Sequence, residues 1–148
     1  MKLLRAMTLG IRDQFKYNRR PEKGIQTPDQ TLQTHTGSCR DFAVLMMEAT
    51  RSLAIAARFV SGYIFVPGNC TRTAGGGATH AWVQAYLPGA GWVDFDPTNS
   101  IVGNRNLIRV GVAWSPETVL PLWGTYHGPA NAFESMDVTV NVIEEPAG

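Results

Sequence analysis

Three side chains suited to nucleophilic chemistry stand at telling positions in this 148-residue chain. Cys39 follows Gly37-Ser38 and precedes an apolar run, so it falls in the first turn of an expected helix. There the backbone N–H groups lack intrahelical partners, and the positive end of the helix dipole favours a thiolate over a thiol. A cysteine needed only for packing would sit on the apolar face, which begins at Phe42. His80 lies near the start of an expected strand, THAWVQAYL, sharing a face with Trp82, Gln84 and Tyr86. Asp94 and Asp96 share a face with Trp92 on the returning strand, WVDFD. In a hairpin closed by PGAG (88–91), the start of the first strand lies near the end of the second. His80 and Asp96 are therefore expected cross-strand neighbours, with Asp94 nearer the turn. A register shift of a residue or two leaves Asp94 open as the partner. A thiolate, an imidazole and a carboxylate are the parts of a cysteine acyl-transfer centre: sulfur attacks a carbonyl, imidazole moves the proton, and carboxylate orients the imidazole. The Cys39 N–H at the helix start is suited to receive the oxyanion.

These groups need a scaffold. Leu4, Met7, Ile11 and Phe15 recur at helical spacing, which predicts an amphipathic helix over 2–17. Thr27, Pro28 and Gln30 form an N-cap, first-position proline and capping-box partner, for a short helix from 28 to about 33. Ser38 caps a third helix over 39–54, with Asp41 as the weaker capping-box partner and Phe42, Leu45, Met46, Ala49 and Leu53 inward. Strands are expected at 58–66, 79–87 and 92–96, at the alternation of Ile108, Val110 and Val112, and at that of Met136, Val138, Val140 and Val142. The glycine-rich segment 67–78 reads as a mobile loop, and 114–132, with three prolines, as an irregular excursion. Helices first and strands after predict an α+β fold, with the cysteine-bearing helix on a mainly antiparallel sheet. The length predicts a single domain over 1–148.

Composition narrows the function. Thirteen Lys plus Arg against 12 Asp plus Glu give a net charge of +1, which supplies no electrostatic case for nucleic acid or anionic membrane. No apolar run is long enough to span a bilayer, and Arg5, Arg12 and Asp13 interrupt any signal-like stretch. Two cysteines, Cys39 and Cys70, are too few for a disulfide framework, so a cytoplasmic setting is the default expectation. No metal-ligand spacing is present, and neither a metal nor a cofactor is expected. A near-neutral surface permits a dimer without requiring one.

The stretch TGSCRDFAVLMMEATRSLAIAARFVSGY, followed by THAWVQAYLPGAGWVDFDPTN, resembles the bacterial transglutaminase-like domains of the papain-like cysteine peptidase superfamily. The likeness runs in order from about residue 5 to the end, through IRVGVAW and PLWGTYHGPA. It implies Cys39 as nucleophile, His80 as base and Asp96, the Asp before Pro97-Thr98, as orienting carboxylate. It also implies a peptide or protein amide as substrate and a thioester intermediate resolved by water or an amine. The same likeness draws attention to Gln33, six residues before Cys39, where papain-like enzymes carry an oxyanion-hole glutamine at similar spacing.

Other residues invite blander readings. Gln33 reads equally as an exposed helix-end residue. His35 lacks an orienting carboxylate in the sequence, His127 sits in a Gly/Pro loop, and Cys70 is a loop thiol. Arg40 and Asp41 read as capping or ion-pair residues, and Trp82 and Trp92 as sheet packing. Two rival functions are a zinc hydrolase using Cys39, His80 and an Asp, and a catalytically inactive binding module on the same fold.

Overall fold

The computed structural model describes residues 1–20, 24–66, 74, 78–103, 105–125, 127–129, 131–135 and 137–143. Helix α1 (Lys2–Gln14) buries Leu4, Thr8 and Ile11. It ends at Phe15, which turns extended and leads into the two-residue strand β1 (Lys16–Tyr17). Helix α2 (Pro28–Thr34) opens on a complete capping box, with Thr27 Oγ1 accepting from Gln30 N–H at 3.2 Å and Gln30 Oε1 accepting from Thr27 N–H at 3.0 Å. His35 closes it in the left-handed conformation (φ 51°), and β2 (Thr36–Gly37) pairs in parallel with β1. Neither short strand has a hydrophobic period, so sequence reading passes over both.

Helix α3 (Cys39–Ser52) starts where its cap residues dictate. Asp41 is completely buried, and its carboxylate accepts from Ser38 N–H (2.8 Å), Ser38 hydroxyl (2.8 Å) and Gln26 N–H (2.7 Å), with Arg20 Nε at 3.4 Å. Four groups from three segments thus converge on one carboxylate and hold the first turn of α3 still.

Strands β3 (Ala57–Ile64), β4 (His80–Leu87), β5 (Gly91–Asp96), β6 (Ile101–Val102) and β7 (Leu107–Ala113) form a sheet of order β6-β5-β4-β3-β7, antiparallel throughout. Side-chain alternation divides the core. Phe59, Ala81, Val83, Ala85 and Phe95 pack with Phe42, Ala43, Met46 and Met47 of α3. Trp82, Val60, Ile64 and Leu107 form a second cluster. This is the α+β arrangement expected, with the cysteine-bearing helix against an antiparallel sheet.

One expectation is corrected. The last strand, over 136–142, does not form: residues 137–143 carry no strand pairing, and Ile143 is 73% exposed. Alternating valines favour a strand only when a neighbouring edge accepts them. Met136 lies outside the described residues, as does nearly all of the loop 67–78, with Cys70 in it. Strand β6 emerges instead, just after the Pro97-Thr98-Asn99 turn. The excursion after β7 is irregular as expected, apart from a 3-10 turn at Pro116–Thr118.

Candidate active site

The hairpin register brings His80 and Asp96 together. Phe95 faces Val83 and Asp94 faces Gln84, so His80 meets Asp96 on the diagonal. His80 Nε2 lies 2.8 Å from Asp96 Oδ2, and both side chains are fully buried. The same diagonal one step back joins Trp82 Nε1 to Asp94 Oδ1 at 2.7 Å, while Gln84 Nε2 donates to that oxygen at 2.8 Å. Asp94 is thereby committed to Trp82 and Gln84, and Asp96 alone of the two takes the imidazole. Trp82 stacks beside His80, with ring centroids 6.0 Å apart, and walls the imidazole on its own strand face.

Asp96 is held from four directions. Oδ1 accepts from Thr98 N–H (2.9 Å) and Asn99 N–H (3.3 Å), and Oδ2 accepts from Asn99 Nδ2 (2.9 Å) as well as from His80. The DPTN turn therefore wraps back on its own first residue, a local geometry that Asp favours strongly.

Burial pulls the His80 pKa down. The Asp96 charge and hydrogen bond, and after them the hydrogen bond and charge of Cys39, outweigh it and raise the pKa to about 10. The second ring nitrogen, Nδ1, is buried and has no partner of regular hydrogen-bond geometry among the described residues. The Cys39 sulfur is thus the further group acting on the ring, from the first turn of α3. With Nε2–H donated to Asp96, a neutral ring carries its lone pair on Nδ1.

Tyr17 of β1 stands at the edge of the same site, opposite Gly37 in the β1–β2 register. It is half-buried. Burial raises its pKa most, the Cys39 and Asp96 charges add to the rise, and Arg19 and Arg40 oppose it. Sequence reading missed Tyr17 and Asn99. The cue for Asn99 lay in its place three residues after Asp96, where an Asx side chain readily turns back on the chain. Tyr17 offered no cue, because a two-residue parallel bridge brings it near.

The other candidates lie elsewhere. Gln33 is exposed on α2, and His35 is exposed with its ring 4.9 Å from Phe15. His127 is exposed. Asp41 serves the start of α3, and Trp92 packs edge-on against Tyr86 and under the Arg58 guanidinium. Among the described residues no group of three or more His, Cys, Asp or Glu could hold a metal ion. No described helix is long and apolar enough to cross a membrane.

Known proteins resemble this chain in the same region. A protein of Mycobacterium leprae with no characterised activity is 37% identical over 111 residues, 72% of this chain and 37% of its own length. A protein-glutamine gamma-glutamyltransferase of Pseudomonas aeruginosa is 33% identical over 92 residues, 57% of this chain but 13% of its own length. The crystal structure of a candidate cysteine protease from Cytophaga hutchinsonii superposes with a TM-score of 0.63 at 27% identity, covering 77% of this chain and 36% of that one. The chain therefore spans little more than a third of its Mycobacterium leprae relative. The model of the transglutaminase-like superfamily matches residues 2–97, a stretch that carries Cys39, His80 and Asp96. The chain belongs to the transglutaminase-like superfamily.

Proposed function

We propose that this chain is a thiol-dependent acyl-transfer enzyme acting on amide bonds, with Cys39 as nucleophile, His80 as base and Asp96 as orienting carboxylate. The observation that carries the reading is the buried imidazole. One nitrogen is tied to Asp96 at 2.8 Å, and the other has no partner of regular hydrogen-bond geometry among the described residues and is acted on by the Cys39 sulfur. Asp96 holds Nε2–H and favours the imidazolium, so Nδ1 takes the thiol proton before attack and sulfur meets the amide carbonyl as a thiolate. Carbon–sulfur bond formation pushes the carbonyl electrons onto oxygen, where the free N–H groups at the start of α3 receive them. Collapse expels the amine, which takes the proton from the imidazolium and leaves a thioester on Cys39. Water or a second amine then gives its proton to Nδ1, attacks the thioester, and releases the acid or new amide with restored thiol.

Membership of the superfamily supports this chemistry, as does the likeness to a glutamyltransferase and to a candidate cysteine protease. Both of those names concern a carbonyl bonded to nitrogen, hence a peptide bond or a glutamine side chain as the substrate class. A cytoplasmic setting, argued from only two cysteines, belongs to the same proposal.

The test is turnover of glutamine-containing peptides, followed as ammonia or amine release with and without an added primary amine. Cys39→Ala should abolish turnover while circular dichroism stays that of the parent. Turnover that persists in Cys39→Ala would end the proposal.

A further inference from the structure

Asn99 touches two of the three proposed reactive groups, Asp96 and His80. Its Nδ2 donates to Asp96 Oδ2 at 2.9 Å and stands 3.5 Å from His80 Nε2. Its backbone N–H donates to Asp96 Oδ1 at 3.3 Å. The same side-chain amide also grips the peptide of Ala74 from both sides, Oδ1 accepting from Ala74 N–H at 2.8 Å and Nδ2 donating to Ala74 O at 3.1 Å. Ala74 lies 25 residues away in sequence, so this is a tertiary tie. An amide is the side chain that satisfies every one of these contacts, because they require an acceptor at one end and two donated protons at the other. The Ala74 pairing sets the rotamer, and the rotamer aims one N–H at the carboxylate.

We infer that Asn99 is a positioning residue: clamped by the Ala74 peptide, it holds the Asp96 carboxylate in the orientation that lets it accept from His80 Nε2–H. The inference rests on the proposed thiol chemistry and deepens it. Asn99 does not contact the sulfur or a substrate carbonyl. It acts through Asp96, which itself acts through the imidazole. Without the amide, Oδ2 keeps His80 as its one side-chain donor, and rotation of the carboxylate is resisted only by that bond and by the Thr98 and Asn99 N–H groups on Oδ1. The charged groups acting on the imidazole are Asp96 from β5 and Cys39 from α3, and Cys39, Arg19, Asp96 and Arg40 in turn act on Tyr17 of β1. Asn99 is the neutral member of this set, so its removal changes orientation without changing net charge.

The experiment compares Cys39 alkylation by iodoacetamide at pH 6 and pH 9 in the parent, Asn99→Ala and Asn99→Ser, with mass spectrometry separating Cys39 from Cys70. An imidazolium held by Asp96 keeps sulfur reactive at pH 6, where an ordinary thiol is almost inert. The expected result is a fall of about tenfold or more in the pH 6 rate in both variants, with the pH 9 rate close to that of the parent. A purely structural role would lower the melting temperature and leave the ratio of the two rates unchanged, and that result would overturn the inference. Asn99→Ser retains a hydroxyl for the turn, so it supplies the comparison if Asn99→Ala does not fold. If the parent itself shows no labelling at pH 6, the thiol chemistry fails, and the inference with it. That outcome is told apart by needing no variant.

Discussion

Replacing Asp96 by Asn tests whether the imidazole draws its charge from this carboxylate. Asn has the same shape, and its oxygen still accepts from Thr98 N–H and Asn99 N–H, so the turn is retained. The other terminal atom becomes an NH2 group, which cannot accept from His80 Nε2 and confronts the Asn99 amide donor as well. In the parent, burial lowers the His80 pKa, yet Asp96 and then Cys39 raise it to about 10. Without Asp96 burial dominates, and the ring loses its proton near or below its ordinary value of about 6.5. The imidazolium beside the sulfur is lost with it. A ceiling then applies, because a thiol of ordinary pKa, about 8.5, is about 0.3% ionised at pH 6. The alkylation rate of Cys39 at pH 6 should therefore drop by between about tenfold and about 300-fold. The drop should shrink to nothing as the pH approaches 9. Asp94→Asn is the control, since Asp94 binds Trp82 and Gln84 and leaves the imidazole alone. If Asp96→Asn alkylates within twofold of the parent at pH 6, the electrostatic reasoning is refuted. If Asp94→Asn alone slows labelling, the wrong carboxylate has been assigned to the imidazole.

Three more outcomes follow from the same contacts. Asp41→Ala strips the acceptor from Ser38, Gln26 and Arg20 at once, and urea unfolding should record a loss of about 3–5 kcal/mol; a loss below about 1 kcal/mol would show that the cluster matters little. Gly62 sits opposite His80 in β4 and at the register shift between β3 and β7, and a Cβ there would collide with the Ile108 carbonyl oxygen and press on Trp82. Gly62→Ala should cost about 2–4 kcal/mol and slow Cys39 labelling with it; an unchanged melting temperature would contradict this. A raised folded-state pKa stabilises below the unfolded value and loses that effect as pH climbs. In Cys39→Ala, where no thiol titrates beside the ring, the His80 contribution should thus be full below about pH 6.5 and fade as pH rises above it, at up to about 1.4 kcal/mol per unit in denaturant titrations; a flat profile in that variant would be contrary.

Local chemistry is what the sequence reveals best. Thr27, Gln30, Ser38 and Asp41 announce two helix starts because a cap is settled within four residues. His80 and Asp96 are legible because a short turn fixes which strand ends meet, although their pairing is diagonal. Features that depend on distant partners are hidden. Tyr17 reaches the site through a two-residue bridge to Gly37, and the grip of Asn99 on Ala74 spans 25 residues. The valines of 137–143 alternate as a strand should, yet no edge of the sheet receives them. In the same way the sequence displays the residue types of the proposed reaction but not what buries them. The complete enclosure of His80 and Asp96 comes from Trp82 and the DPTN turn folding around them.

The most direct trial is to trap the acyl-enzyme. The protein is incubated with a library of glutamine-containing and C-terminally amidated peptides, quenched in acid, and weighed intact and after digestion. A thiol acyl-transfer enzyme should gain the mass of a peptide less its departing amine, located on Cys39, lost on adding hydroxylamine and missing in Cys39→Ala. An adduct confined to Cys70, or one formed equally by Cys39→Ala, would contradict the assignment of Cys39 as the nucleophile.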